Sequence, residues 1–322
     1  MKRRDFLQMS LMGFFGFSGV KSLGGSVEDE FGEIGHKPLP KRILGRTGEE
    51  ISILGLGGVV LMNENQEKVN EIIREAVEHG INYFDVAPTY DNAEELLGSA
   101  LKPFREKVFL ACKTEKRDRR GAEEELNQSL EKLQTDYFDL YQLHALTEIA
   151  DVNRALRWDG AMRAILKAKD EGKVKYIGFS AHSSEVALRA MERFDFDTIL
   201  FPVNYVCYFK ADFGPEVIKK AKEKKMGILA IKAMARQPWP NEELQKYWPK
   251  NWYQPILNPE ETNLALCFAL SQPITSAIPP GDVRLFRRAL DIAHSFTPLN
   301  DREERRLRLL ASNLEPLFKL RS

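Results

Sequence analysis

Four side chains that could together move a proton follow one another along the chain: Asp85, Tyr90, Lys113 and His144. Each lies at or just beyond the end of an apolar run typical of a buried strand. A free phenol has a pKa near about 10, and the ammonium of Lys113 would lower the pKa of Tyr90 by stabilising the phenolate. Asp85 would keep Lys113 charged, and His144 would donate to a carbonyl oxygen. The set predicts proton donation to a carbonyl whose hydride comes from a separate carrier.

Alternating strand and helix patterns must position these residues. Strands are predicted at about 51–56, 81–85, 107–112, 138–143, 174–179, 197–203, 226–231 and 274–278, and helices at about 66–79, 92–101, 121–133, 154–171, 184–193, 213–225, 260–270 and 282–295. Eight strand–helix pairs favour an α/β fold of one domain, a closed (β/α)8 TIM barrel. A doubly wound open sheet is the alternative, but no G-x-G-x-x-G turn follows the first strand. In either fold, the ends of consecutive strands become neighbours.

Further elements are predicted at the two ends of the barrel domain. Two short extended runs around Thr47 and Gly48 predict an N-terminal β-hairpin. Helices at about 300–318 are expected to close the outer wall of the barrel. Asp91, three residues before Glu94, is a candidate for the start of the second helix.

The N-terminus has the pattern of an export signal. KRRDFLQ (2–8) precedes the short apolar stretch LMGFFGFSGV (11–20), which is too short for a membrane span. The paired arginines followed by Asp-Phe-Leu resemble a twin-arginine (Tat) signal. Residues 1–36 are therefore predicted to be signal and linker, and residues 37–322 the barrel domain. This implies the Tat machinery as a partner and a periplasmic or exported location; an apolar start peptide or a retained anchor is the alternative.

Composition limits the other classes of function. Basic and acidic residues balance at 47 each, so nothing indicates a nucleic-acid surface. The three cysteines, at 112, 207 and 267, lie in apolar runs without metal-ligand spacing and are expected to be buried thiols. A metal-dependent hydrolase, with His144 and His182 as ligands, is an alternative that lacks the usual His-x-His pattern, so no metal is expected.

Several segments resemble the aldo-keto reductase family, over about residues 41–315: LGRTGEEISILGLGG, NYFDVAPTYDNAEELLGSAL, FLACKT, DYFDLYQLH and GKVKYIGFSAHS. The resemblance implies that Asp85, Tyr90, Lys113 and His144 form the family's catalytic tetrad. It also implies an aldehyde or ketone substrate, or the corresponding alcohol, and NADPH, less often NADH, bound without a Rossmann domain. A nicotinamide-binding regulatory or interaction module with slow turnover is the alternative function.

The same resemblance assigns cofactor contacts near the nicotinamide. Ser180 matches a serine that holds the carboxamide, whereas Ala181 replaces the usual asparagine. His182 could compensate, or it could simply cap the next helix or face solvent. Asn204 could take the role of a glutamine that is common after the sixth strand. Lys232 is the nearest counterpart of the family's stacking tyrosine, and it could instead meet a phosphate or the substrate.

The adenosine-phosphate segment and a long loop complete the predicted site. The segment AIPPGDVRLFRRAL (277–290) would offer backbone N–H groups near Gly281 to a phosphate. Arg284, Arg287 or Arg288 could bind a 2′-phosphate, which favours NADPH, or they could lie on a solvated helix face. In the loop 236–260, four aromatic residues are candidates to line the substrate pocket, unless they only pack against the barrel: Trp239, Trp248, Trp252 and Tyr253. Trp239 and Trp252 are the predicted substrate contacts.

Overall fold

The computed structural model describes residues 38–320, so the export signal predicted over 1–36 lies outside the described residues. Over this part of the chain the strands are β1 (Lys41–Ile43), β2 (Glu50–Ser52), β3 (Leu56–Gly57), β4 (Tyr83–Asp85), β5 (Phe109–Thr114), β6 (Phe138–Leu146), β7 (Val174–Ala181), β8 (Thr198–Pro202), β9 (Gly227–Ile231), β10 (Ala235–Pro238), β11 (Tyr253–Pro255) and β12 (Ser276–Ala277). The helices are α1 (Gln66–Glu78), α2 (Ala93–Leu101), α3 (Arg119–Lys132), α4 (Ile149–Ala155), α5 (Ala161–Asp170), α6 (Ser184–Arg193), α7 (Tyr205–Ala211), α8 (Pro215–Glu223), α9 (Glu242–Gln245), α10 (Pro259–Ser271), α11 (Val283–His294) and α12 (Asp301–Ser312).

Eight parallel strands of the described region form a barrel. Their order is β3, β4, β5, β6, β7, β8, β9 and β12, each pairing with the next. The last strand meets the start of the first, because Ala277 N–H donates to Ile53 O at 2.9 Å and Gly55 N–H donates to Ala277 O at 2.9 Å. Contact between the first and last strands excludes the open-sheet alternative and confirms the predicted (β/α)8 barrel.

The predicted hairpin forms from β1 and β2 and covers the N-terminal end of the barrel. Its turn needs a glycine at Gly45, where φ is +54° and an added Cβ would lie 2.2 Å from the backbone N of Gly227. Leu44 and Ile51 of the hairpin join the apolar side chains that fill the barrel interior. The interior is therefore closed at this end, and access is left to the opposite end, where the strands terminate.

The predicted helices are present, with differences at particular boundaries. The stretch predicted at 154–171 divides into α4 and α5. Asp91 does not start α2, because φ at this residue is +44° and the helix begins after Asn92. The amide of Asn92 instead accepts a hydrogen bond from Asn63 N–H at 2.9 Å, which ties the loop after β4 to the loop after β3.

Two segments depart from the regular alternation. The loop after β9 contains the antiparallel pair β10–β11 and the short helix α9, so it is more ordered than the long loop predicted there. Where helices were expected at about 300–318, the described residues form one helix, α12, followed by a segment whose Phe318 contacts His182 on the strand-end face. The three cysteines are free and buried, as expected. Within residues 38–320, no helix has the length and apolar character needed to span a membrane.

Candidate active site

A cavity of about 230 Å³ opens at the C-terminal ends of the barrel strands. Asp85, Tyr90 and His144 line it, together with Ser180 and Lys232 from later strand ends. Lys113 lies behind the wall, with 0% of its surface exposed. The structure therefore brings the four predicted proton-transfer residues together at the end of the barrel where enzymes of this architecture place their sites.

Asp85 and Lys113 form a buried ion pair. Lys113 Nζ also donates to Val86 O at 2.9 Å. The second carboxylate oxygen of Asp85 accepts from Tyr83 Oη at 3.1 Å and from Gln142 Nε2 at 3.0 Å. Burial lowers the pKa of Lys113, but the charges of Asp85 and Tyr90 outweigh burial, and the net pKa is raised. The ammonium is therefore charged at neutral pH.

Tyr83 and Gln142, which hold Asp85, were not among the predicted site residues. Two signals in the sequence could have found them. Tyr83 precedes Asp85 by two positions, so both point to the same side of β4. Gln142 is a polar residue inside the apolar run of β6 and is 0% exposed, which requires partners within the barrel.

Tyr90 lies beside both Lys113 and His144. Lys113 Nζ is 5.2 Å from the centroid of the Tyr90 ring, and the His144 ring meets it edge-on with centroids 6.1 Å apart. The net pKa of Tyr90 is raised, because burial is the largest effect and the Asp85 charge adds to it, whereas the Lys113 ammonium lowers it. The expected net lowering of the phenol pKa is therefore wrong: the lysine acts in the predicted direction but is outweighed.

His144 is a neutral imidazole held by its backbone. Its pKa is lowered to about 2, first by burial and then by the nearby cations, among them Lys113. Arg117 Nη2 donates to His144 O at 2.6 Å, and the pairing register of β6 with β7 shifts just after this residue. His144 Nδ1 has no hydrogen-bond partner among the described residues. A neutral ring can donate one hydrogen bond to a substrate oxygen without carrying charge.

The end of β7 contributes two residues to the cavity. Ser180 Oγ accepts from Ala145 N–H at 2.7 Å, so its hydroxyl hydrogen is still available to a ligand. His182 also lines the cavity and stacks on Phe318 with centroids 5.5 Å apart. The alternative that His182 caps the next helix is wrong, because the Ser183 side chain caps α6.

Asn204 has a structural role. Its Oδ1 caps α7 by accepting from Cys207 N–H at 3.1 Å, and its Nδ2 donates to Lys232 O at 3.0 Å and Ala235 O at 2.7 Å. Both amide hydrogens are used within the protein, and Asn204 is outside the cavity lining. The prediction that Asn204 contacts the cofactor is corrected: it holds the loop that follows β9.

Lys232 projects from that loop into the cavity. Its ammonium faces the rings of Trp252 and Tyr253, at 5.3 and 4.9 Å from their centroids. Burial and the Lys113 charge lower its pKa to about 8. The sequence predicted a cationic ligand contact here, and the structure places the cation where it could make one.

The predicted phosphate-binding segment is only partly in place. Gly281 lines the cavity, and an added Cβ there would lie 2.3 Å from Val59. Asp282 caps α11, accepting from Arg284 N–H at 2.9 Å, and it also binds the Arg284 guanidinium at 2.9 and 2.8 Å. The carboxylate thus occupies the helix start that was expected to meet a phosphate, and the prediction for Arg284 is corrected.

The two other arginines of α11 differ in their partners. Arg287 donates to both carboxylate oxygens of Glu75 across to α1, so it lies on a solvated face, as the alternative stated. Arg288 Nη1 donates to Leu257 O at 2.7 Å and forms no ion pair among the described residues. Arg288 is therefore the arginine of this helix whose charge no carboxylate of residues 38–320 balances.

Of the two predicted substrate contacts, Trp252 lines the cavity and Trp239 does not. Trp252 lines the cavity and is 53% exposed, so it can meet a ligand. Trp239 lies outside the cavity lining, and its Nε1 donates to Asn251 O at 2.8 Å, so the prediction for Trp239 is corrected to anchoring the loop. The anchored Asn251 does line the cavity, and sequence reasoning did not single it out.

Comparisons with known proteins identify the family of this chain. The pattern of the "Aldo/keto reductase family" matches residues 53–270. The uncharacterized oxidoreductase YqkF of Bacillus subtilis is 37% identical over 155 residues, which cover 44% of this chain and 48% of YqkF. The aldo-keto reductase YhdN of Bacillus subtilis is 32% identical over 215 residues, which cover 59% of this chain and 60% of YhdN. The chain thus spans about half to 60% of the length of these relatives.

Solved structures support the fold. The holo form of the aldo-keto reductase AKR11C1 from Bacillus halodurans superposes with a TM-score of 0.67, covering 87% of this chain and 98% of that one. The sequence identity of this pair is 23%, so the likeness establishes the barrel architecture and carries no further argument about chemistry.

Proposed function

The chain belongs to the aldo/keto reductase family, and we propose that it is a nicotinamide-dependent oxidoreductase that reduces an aldehyde or ketone, or oxidises the corresponding alcohol. The observation that carries the proposal is the buried Asp85–Lys113 pair behind Tyr90, with the neutral His144 ring at the edge of the phenol. This arrangement supplies a proton donor and a second hydrogen-bond donor at one point of the cavity wall.

Each residue has a defined part in this proposal. Tyr90 keeps its proton at neutral pH, because its pKa is raised, and donates that proton to the carbonyl oxygen. Lys113 then stabilises the phenolate that remains, with Asp85 holding the ammonium in place. His144 donates a hydrogen bond to the same oxygen from an uncharged ring. A reduced nicotinamide, when bound, supplies the hydride to the carbonyl carbon.

The residues present fit the nicotinamide end of such a cofactor. The Ser180 hydroxyl hydrogen is free to donate to a carboxamide, and Ser180 lines the cavity beside Tyr90 and His144. We propose NADPH as the cofactor, with NADH as the alternative, because Arg288 keeps free guanidinium donors for a 2′-phosphate.

The test of the proposed function is Tyr90→Phe, which removes the hydroxyl and keeps the ring. Turnover of NADPH with a panel of aldehydes, ketones and sugars should fall at least about 100-fold, the usual contribution of a general acid. Cofactor affinity, measured by nicotinamide fluorescence, should stay within about threefold, since the ring contacts are kept. Unchanged turnover in this variant would remove Tyr90 as the acid. Tight cofactor binding by the unaltered protein without turnover of any carbonyl would favour the regulatory module instead.

We propose, from the sequence alone, that the protein is exported by the Tat pathway as a folded unit. The experiment is cell fractionation of the full chain and of a variant with Arg3→Lys and Arg4→Lys. We expect the unaltered chain in the periplasmic or exported fraction and the variant in the cytoplasm. An equal distribution of the two would contradict export by this route.

A further inference from the structure

Lys232 is a cation without an acidic partner in the part of the chain that the structure describes. Its ammonium makes no ion pair and no hydrogen bond to another residue there, and it lines the cavity. The ammonium lies over the ring faces of Trp252 and Tyr253. Aromatic faces stabilise a cation only weakly compared with a carboxylate, so the ammonium can still bind an anion.

The backbone at Lys232 has an uncommon conformation that its neighbours hold in place. Lys232 has φ of +66°, a left-handed conformation that is uncommon for any residue except glycine. Asn204 Nδ2 and Ala235 N–H both donate to the Lys232 carbonyl, each at 3.0 Å, and these bonds hold the turn. Strain that the surroundings enforce in this way is typical of functional positions.

Asn251 supplies a second unused donor to the same cavity. It is 2% exposed and lines the cavity, and its Nδ2 has no hydrogen-bond partner among residues 38–320. Its backbone is fixed on both sides, because Trp239 Nε1 donates to its carbonyl and its N–H donates to Trp248 O. A buried amide that is held rigidly without a partner needs an explanation, and a ligand oxygen is one.

One lysine of the cavity lining has no carboxylate partner in the part of the chain that the structure describes. The carboxylate of Asp85 is used by Lys113, Tyr83 and Gln142. Lys250, which also lines the cavity, is bound by Glu64 at 2.8 Å, and Glu64 binds Lys68 as well. Lys232 therefore remains as the lining ammonium whose charge no carboxylate of residues 38–320 contacts.

We propose that Lys232 and Asn251 form an anion subsite beside Tyr90 and His144, and that the preferred substrate is a carbonyl compound bearing a carboxylate. This inference rests on the proposed reductase function. Lys232 and Asn251 line the same cavity as Tyr90 and His144, so an oxo acid bound there has donors for its carboxylate as well as for its carbonyl. The diphosphate of the cofactor is the other anion that could reach Lys232, and the experiment separates the two.

The experiment compares two aldehydes of equal chain length, 4-oxobutanoate and butanal, which differ in the terminal carboxylate. In the full chain with NADPH, we expect 4-oxobutanoate to be preferred in kcat/KM. Lys232→Met keeps the length of the stem and removes the charge. It should lower kcat/KM for 4-oxobutanoate about 30-fold, the lower end for truncating a buried charge pair, and change butanal less than about threefold. Lys232→Arg should restore most of the preference.

The matched control is Lys250→Met, because that ammonium lies at the same cavity but is bound by the Glu64 carboxylate. It should leave the preference for 4-oxobutanoate within about twofold of that of the unaltered protein. A readout without turnover uses the fluorescence of Trp252, which faces Lys232. Titration with the product 4-hydroxybutyrate should quench it in the unaltered protein and not in Lys232→Met.

Three outcomes would overturn the subsite. If both aldehydes lose activity equally in Lys232→Met and cofactor affinity falls with them, Lys232 serves the cofactor diphosphate. If the unaltered protein reduces butanal as well as 4-oxobutanoate, the cavity does not select the carboxylate, although the reductase function stands. If it reduces no carbonyl in the panel, the proposed function itself fails.

Discussion

Two lysines at the ends of barrel strands have opposite surroundings. Lys113, on β5, is fully buried and is bound by Asp85 and by the Val86 carbonyl. Lys232, after β9, faces the same cavity without an acidic partner in residues 38–320. The pKa of Lys113 is raised by its partner, and the pKa of Lys232 is lowered to about 8 by burial and by Lys113. The charge of Lys113 is balanced within the protein, whereas the charge of Lys232 is available to the ligand that we propose.

The largest effect is expected from removing Lys113 from its ion pair with Asp85. Lys113→Met leaves the Asp85 carboxylate buried with only Tyr83 and Gln142 as described partners. Removing one member of a buried pair costs about 3–5 kcal/mol, so the free energy of unfolding should fall by that amount. Urea denaturation monitored by circular dichroism measures it. Adding Asp85→Asn to Lys113→Met should restore little activity. A Lys113→Met variant as stable as the unaltered protein would contradict the Asp85–Lys113 ion pair.

The unsatisfied lysine should behave in the opposite way. Lys232→Met should increase the free energy of unfolding at pH 7 by about 1–3 kcal/mol, because an unpaired cation leaves a partly dry site. The folded pKa of about 8 lies below the unfolded value of about 10.4, so the unfolded chain binds more protons between these values. The unaltered protein therefore gains stability as pH rises from about 8 to 10, and the advantage of the variant shrinks over that range. Equal stability of the two proteins at pH 7 would refute this account.

The pKa of His144 is lowered mainly by burial, and both lysines add to that effect. Its folded pKa of about 2 lies below the unfolded value near about 6.5, so the unfolded chain binds the proton first as the solution is acidified. Stability is lost as pH falls below about 6.5, and His144 alone should account for about 2 kcal/mol between pH 7.5 and pH 5. The measurement is urea denaturation of the protein and of His144→Gln at both pH values. Parallel losses in the two proteins would show that His144 titrates normally.

The smallest effect is expected at a cation outside the cavity. Arg284 is bound by Asp282 and stacks over Trp248, with 4.3 Å from its guanidinium carbon to the ring centroid. Arg284→Ala should change NADPH affinity by less than about threefold, because an exposed ion pair contributes little. Arg288→Ala is the comparison variant, and it should weaken NADPH more than NADH. A larger loss from Arg284→Ala would restore the original interpretation of that residue.

Much of the fold could be predicted from the sequence, since the strand and helix signals are local and periodic. The buried runs, the hairpin and the barrel are confirmed, and so is membership of the family. The boundary at Asp91 was wrong because a positive φ and a loop-to-loop hydrogen bond to Asn92 shift the start of α2. The roles proposed for the site residues remain predictions, whereas their positions are now defined.

The sequence by itself determined which residues come to the strand ends, because alternation and strand spacing place Asp85, Tyr90, Lys113 and His144 at neighbouring positions. Only the tertiary structure decided how each side chain is used. Asn204 and Trp239 have the chemistry of ligand contacts, yet their donors are used to hold the backbones of Lys232 and Asn251. The physical reason is that a hydrogen bond or ion pair depends on which groups meet after the loops have folded, and residue type alone does not specify the partner.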